Sequence, residues 1–218
     1  MPATKTLSEH ASKQLLAAAG IPVADERLCE TADDAVRAAV ELGFPVAVKL
    51  CGDTIAHKTE RGLVRLSLAD EDAVRAAANE LLALARPEDG RVSLLVARMV
   101  RGKRELIVGY TTDPTFGPCV MLGIGGIFAE MLSDVVFRLV PVTRVDAEEM
   151  LDELQHREWL GAFRGEPPVD RARLTDVLVG LSRIVEQNPT IRSIDVNPLI
   201  VSDGLPIAVD ALVEVEAA

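Results

Sequence analysis

The sequence is poor in cysteine and histidine, with three of each among 218 residues. Cys29, Cys51 and Cys119 are odd in number, far apart and set in apolar stretches, and no CxxC occurs. That argues against a disulfide framework and against a zinc site, and points to free thiols in a reducing, cytoplasmic compartment. Long apolar runs are also missing: Glu9 and Lys13 interrupt the N-terminus early, and no stretch of about 18 apolar residues appears, so neither a signal peptide nor a membrane span is expected. Positive charge is in deficit, with 23 Lys and Arg against 34 Asp and Glu for a net −11. A chain this acidic repels phosphate backbones and anionic membranes, which disfavours nucleic acid as a partner. A small anion remains possible, because a few local cations and helix N-termini suffice to hold one.

What is present reads as interleaved helices and strands, hence an α/β or α+β class, with 49% apolar residues to build a core. Thr6 and Glu9 have capping-box spacing, Ala11, Leu15, Ala18 and Ala19 follow at helical spacing, and Gly20 and Pro22 stop the helix. A second helix runs from Thr31 to Gly43, a third from about Asp70 to Ala85, with strands at 64–68 and 94–100. Arg101-Gly102-Lys103-Arg104 reads as a solvated basic turn or hinge. Beyond it come strands at 105–111, 117–122 and 137–141, a helix capped by Thr143 and Asp146, and a long helix opened by Asp170 and stopped at Asn188-Pro189. Strands at 191–201 and 206–213 close the chain.

Those last two strands carry the sharpest local inference. Asp203-Gly204 between apolar runs marks a two-residue hairpin turn. Counting back, Asn197 faces Asp210, and Asp195 shares their side of the sheet, while Ile194, Val196, Ile207 and Val209 form the opposite, core-seeking side. An amide oxygen and two carboxylates suit Mg²⁺, which takes hard oxygen ligands from protein, water and phosphate. An ordinary hairpin with polar residues outward accounts for the same pattern.

Lys49 lies in an otherwise apolar strand, Pro45 to Leu50. Burying a lysine costs free energy unless it meets an anion, such as a nucleotide phosphate, or snorkels to water. His57, in the polar loop that follows, has the chemistry of a base, nucleophile or ligand, or is simply a loop residue; His10 and His156 read as surface residues on helices. Gly123-Ile124-Gly125-Gly126 fits neither a dinucleotide fingerprint nor a Walker A loop, but permits close approach to a phosphate or a partner chain. Arg138 could serve the same place or pair with Glu130 or Asp134.

Together these segments resemble a known family. PVAVKL, HKTERG, LLVARMVRGKRELIVGYTTDPTFGP, VMLGIGGIFAEMLSDVVFRLVP, SIDVNPLIV and AVDA, in that order, are similar to the β subunit of ADP-forming acetyl-CoA and acyl-CoA synthetases, ATP-grasp proteins of the succinyl-CoA synthetase superfamily. The resemblance implies an ATP-grasp fold over 1–218, with a smaller subdomain near 22–100, a larger one made of 1–21 plus 101–218, and nucleotide between them. It implies that Lys49 contacts nucleotide phosphates, that Val96 and Met99 lie at the adenine with Glu105 beside the nucleotide, that Asn197 and Asp210 bind Mg²⁺, and that His57 carries phosphate. The implied reaction joins a small carboxylic acid to CoA with ATP, giving acyl-CoA, ADP and phosphate reversibly through phosphohistidine. A CoA-binding α subunit with a second phosphohistidine is the implied partner, in a heterotetramer. One departure stands out: where the family has two adjacent glycines after the histidine loop, this chain has Gly62-Leu63, whose leucine would crowd a backbone approach. Two other readings compete, a non-catalytic ATP-grasp-like sensing or regulatory module and a C–N ligase. Lys49, His57, Asn197 and Asp210 together argue against the first, and the histidine loop argues against the second.

Overall fold

A computed structural model describes residues 4–52, 55, 58, 61–126 and 133–217. His57 and Glu130 lie outside the described residues. The chain divides into two compact units, one of Lys5–Ala11 and Ala24–Met99, the other of Met1–Thr4, Ser12–Val23 and Val100–Ala218.

In the smaller unit an antiparallel sheet runs in the order β2 (Glu26–Cys29), β5 (Ser93–Arg98), β3 (Val46–Cys51), β4 (Val64–Leu68). Helices α2 (Ala32–Leu42) and α3 (Glu71–Ala83) cover one face. Thr31 and Asp70 cap them by accepting the amides of Asp34 and Ala73, satisfying donors that no helical carbonyl can reach. Val46, Val48, Leu50, Leu94 and Val96 meet Val36, Ala39, Val74 and Leu81 in a closed apolar core. Strand alternation therefore sends Ala47, Lys49, Leu95 and Ala97 to the other face.

The larger unit carries a seven-stranded sheet ordered β1 (Thr4–Thr6), β11 (Leu212–Glu216), β9 (Ile191–Ser202), β6 (Arg104–Asp113), β7 (Gly117–Ile124), β8 (Val135–Leu139), with β10 (Leu205–Ala208) also paired to β9. Helix α5 (Arg171–Gln187) packs on β6, β7 and β10 through Leu174, Val177, Leu178 and Leu181, and α4 (Arg144–Glu153) packs on α5 and β8. Thr143 and Asp146 form the expected capping box.

Helix α1 (Glu9–Ala18) departs from its expected pattern. Ser8, not Thr6, accepts the Ala11 amide at 3.3 Å, and Thr6 belongs to β1. Gly20 closes the helix at φ 84°, with Ile21 N bonding Leu16 O and Gly20 N bonding Ala17 O, a glycine C-cap of the Schellman type. The buried stripe is Glu9, Ser12, Lys13 and Leu16, whereas Ala18 is exposed and Ala11 and Leu15 are half-buried. The helix thus buries polar groups at i, i+3, i+4 and i+7 because each has a specific partner.

The basic turn also reads differently in three dimensions. Arg101 and Lys103 are exposed, but Arg104 is fully buried and begins β6. Its guanidinium donates to the carbonyls of Gly161 (2.6 Å), Trp159 (3.4 Å) and Pro167, and lies 3.4 Å from Glu166. Planar forked donors match several carbonyls at once, so Arg104 pins the 157–168 loop rather than facing water. Gly102 is required beside it: a Cβ there would lie 2.1 Å from Val201 O.

Candidate functional site

Lys49 is the only charged residue of a strand whose six residues are all buried, and it is itself 7% exposed. Its Nζ donates to Glu9 Oε1 at 2.6 Å. Glu9, 3% exposed at the start of α1, also pairs through Oε2 with Lys58. Next to Glu9 in the helix, His10 Nδ1 meets Glu26 Oε1 of β2 at 2.8 Å, so His10 is partly buried and bonded rather than a plain surface residue. One carboxylate is therefore shared by two ammonium groups, leaving a net positive charge in a low-dielectric setting suited to an anion.

The segment around His57 is anchored on both sides. Lys58 ties to Glu9, and Arg61 grips Asp89 with two parallel bonds of 2.7 and 2.9 Å. The Arg61 guanidinium, aided by the Arg86 amide, outweighs burial and holds the Asp89 carboxyl down at about 2. Leu63 does not crowd the loop: its side chain is buried in the α2–α3 core, its amide donates to Lys58 O, and its carbonyl accepts from Leu50 N. The positive φ stays at Gly62 (67°), where a glycine is needed.

Val96 is placed by the same alternation on the core side, opposite Lys49. Its side chain cannot be an adenine contact. Leu95, paired with Lys49, and Ala97 share the lysine face instead, and Met99 follows at the strand end, half-buried, with its amide on Pro45 O.

In the larger unit Asp203 and Gly204 form the turn, both at positive φ, and Ser202 faces Leu205 as counted. The pairs Leu199–Ala208 and Asp195–Leu212 hold one register on either side, which puts Asn197 opposite Asp210. The second strand is not continuous: β10 ends at Ala208 and β11 starts at Leu212, leaving 209–211 out of the ladder. Across β9 the register with β6 shifts by one residue between Leu106 and Val108, so Asn197 and Pro198 bulge there. The bulge exchanges the faces. Ile194 and Val196 are buried as expected, but beyond the bulge Leu199, Val201, Pro206 and Ala208 turn inward, while Ile207 and Val209, expected in the core, are only half-buried. Asp210 Oδ1 accepts the Ala211 amide at 2.9 Å. Asp195 sits close enough that burial, and then the Asp210 charge, push its carboxyl up. Two mutually repelling carboxylates with an amide oxygen opposite are a hard-oxygen donor set that a divalent cation would relieve, and Asn197 and Asp210 fit Mg²⁺ that takes its other ligands from water and phosphate.

Sequence reasoning missed a neighbour of this hairpin. Lys13 is buried in α1, and its Nζ reaches Val209 O at 3.4 Å, while Ser12 Oγ accepts the Val213 amide. The polar residues at helical spacing, Glu9, Ser12 and Lys13, were the available signal.

Glu105 and the glycines meet elsewhere in this unit. Gly125 N donates to Glu105 O at 2.8 Å, and a Cβ on Gly126 would lie 3.3 Å from Glu105 Oε2. They line a recess of about 340 Å³ with Lys103, Trp159, Phe163 and Arg164. Arg138 pairs with Glu153 at 2.7 Å and Glu149 at 3.5 Å, so it is spent on α4. Asp134 instead accepts the amides of Gln155 and His156 and the His156 ring, which places His156 in a turn before a short 3₁₀ segment. All three cysteines are buried free thiols, and burial pushes each of them up, Cys29 to about 11. No helix among the described residues is long and apolar enough to cross a membrane.

The ATP-grasp domain family model matches residues 2–215. The chain belongs to the ATP-grasp family. The β subunit of acetate–CoA ligase (ADP-forming) I from Pyrococcus furiosus is 37% identical over 210 residues, covering 95% of this chain and 90% of that one. The β subunit of isoenzyme II from the same organism is 38% identical over 197 residues, covering 88% and 84%. Among solved structures, acetyl-coenzyme A synthetase 1 of Ca. Korarchaeum cryptofilum, in complex with coenzyme A and Ca-AMPCP, superposes with a TM-score of 0.88 at 36% identity, covering 97% of this chain and 93% of that one. Within the ATP-grasp family, the chain is therefore a member of the ADP-forming acid–CoA ligase branch.

Proposed function

We propose that this chain is the nucleotide-binding β subunit of a cytoplasmic ADP-forming acid–CoA ligase, which converts a small carboxylic acid, CoA and ATP to acyl-CoA, ADP and phosphate, and back. The observation that carries the chemistry is the placement of Asn197 opposite Asp210, beside Asp195, across the β9 hairpin. Asn197 and Asp210 hold Mg²⁺, which neutralises phosphate charge. Lys49 contacts the nucleotide phosphates, Leu95, Ala97 and Met99 offer apolar surface to the base, and Glu105 lies beside the nucleotide. A neutral His57 imidazole nitrogen attacks the γ-phosphorus, the bond to the ADP oxygen breaks, and ADP departs with the electron pair. A mobile phosphohistidine segment is in keeping with a related structure described with its phosphohistidine segment pointing towards the nucleotide-binding site, and with Mg-AMPPCP bound.

A partner α subunit follows from the β-subunit relatives, and it supplies the CoA site and a second phosphohistidine, in a heterotetramer. The sensing-module reading is not favoured, because relatives matched over most of both chains are ligase subunits. The test is reconstitution with a co-expressed CoA-binding subunit. ADP formation that requires both acid and CoA, and that disappears in His57→Ala, is the expected result. Nucleotide binding without any acid-dependent ADP formation by the assembled complex would overturn it.

A further inference from the structure

Glu9 is a buried carboxylate that the reaction as described does not use. Its environment is unusual: the β3 strand beside it is otherwise wholly apolar, and two lysines converge on its two oxygens. Burying such a triad carries a desolvation cost that an apolar cluster of the same volume would avoid. Packing alone therefore gives no reason for it. The triad is also held rigidly. Lys58 occupies Oε2 and stops the carboxylate from turning, while the His10–Glu26 contact fixes the same helical turn to β2. Oε1 is thereby fixed 2.6 Å from the Lys49 ammonium.

We propose that Glu9 is a positioning residue for phosphoryl transfer: anchored by Lys58, it fixes the direction in which the Lys49 ammonium presents its remaining protons to the nucleotide phosphates. This rests on the reading of Lys49 as a phosphate contact. An ammonium carries three donors and four rotatable carbons, so without a second anchor it would follow its ligand rather than orient it. With one donor committed to Glu9, the other two point along set directions. Glu9 makes no contact with the reacting atoms in this account, and its effect passes through Lys49.

The experiment is a double-mutant cycle on the full chain with its partner subunit, reading the single-turnover rate of phosphoryl transfer from Mg·ATP and, separately, the affinity for Mg·ATP. Glu9→Gln keeps the shape and is expected to slow transfer by about tenfold to a hundredfold, the scale of a small misplacement at a reacting centre. Affinity should change far less. Lys49→Ala should weaken both affinity and rate, and adding Glu9→Gln to it should slow transfer no further. Glu9→Asp keeps the charge but is one methylene shorter, and should restore part of the rate; it also serves if Glu9→Gln does not fold. Multiplying losses in the double mutant, or an unchanged rate in Glu9→Gln while Lys49→Ala is impaired, would overturn the positioning role and leave the Lys49 reading intact. An unimpaired Lys49→Ala would overturn both.

Discussion

The lysine cluster of the smaller unit and the hairpin of the larger one solve opposite electrostatic problems. At Lys49 the protein supplies the counter-ion itself: Glu9 is already in place, shared with Lys58, and all three groups are buried. At Asp210 like charges are gathered instead, and Asp195 is pushed toward protonation by burial and by its neighbour. The first arrangement is stable as it stands and has one positive charge to spare. The second is relieved when a cation arrives. A nucleotide carried with its metal satisfies both kinds of site, which is why two such different neighbourhoods serve one ligand.

The comparison breaks most readily at the hairpin. Asp210→Ala should lower metal-dependent phosphoryl transfer by about a hundredfold to a thousandfold, the usual scale for losing an electrostatic stabiliser of the transferring group. Steady-state rates across a Mg²⁺ titration check this, and the loss should not be recovered at high Mg²⁺. Lys49→Ala should cost less, about tenfold to a hundredfold in Mg·ATP affinity, because one charge-assisted contact is worth roughly 1.5–3 kcal/mol. Calorimetric titration reads it directly. Leu63→Gly, which restores the paired glycines of the family, should destabilise the smaller unit by about 2–5 kcal/mol through an unfilled core site, and leave nucleotide affinity largely unchanged. Chemical denaturation separates that from a functional effect.

The smallest effect concerns Asp89. Its carboxyl, held at about 2 by Arg61, contributes stability that is present above the ordinary carboxylate pKa and is lost as pH falls through the folded value. Asp89→Asn should therefore be less stable than the parent at neutral pH, and the gap should close between about pH 4 and pH 2, starting from the unperturbed aspartate value of about 3.9. Thermal melts across that range test the sign.

The two regions also differ in how far the sequence foretold them. The hairpin was legible because Asp203-Gly204 fixes a turn, and a two-residue turn fixes every pair behind it. The face exchange at Asn197-Pro198 was not, since a bulge depends on the partner strand β6 and leaves no mark in the alternation of β9 alone. The position of Lys49 was legible from its apolar strand, but its partner was not: Glu9 sits 40 residues earlier, in a helix whose three alanines and Leu15 suggested the wrong buried stripe. Arg104 misled for a related reason, because three basic residues in four read as a solvated turn while the carbonyls it serves lie more than 50 residues downstream. Local chemistry announced turns, caps and lone charges. Partners distant in sequence decided which of those charges are buried.

The most direct measurement is phosphoryl transfer to the chain itself. Protein and its partner subunit are mixed with Mg²⁺ and γ-labelled ATP, and acid-labile, base-stable label is located by peptide mapping. The account predicts label at His57, absent in His57→Ala and in Asp210→Ala. Mg·ATP binding by a competent complex with no label on His57 would contradict it.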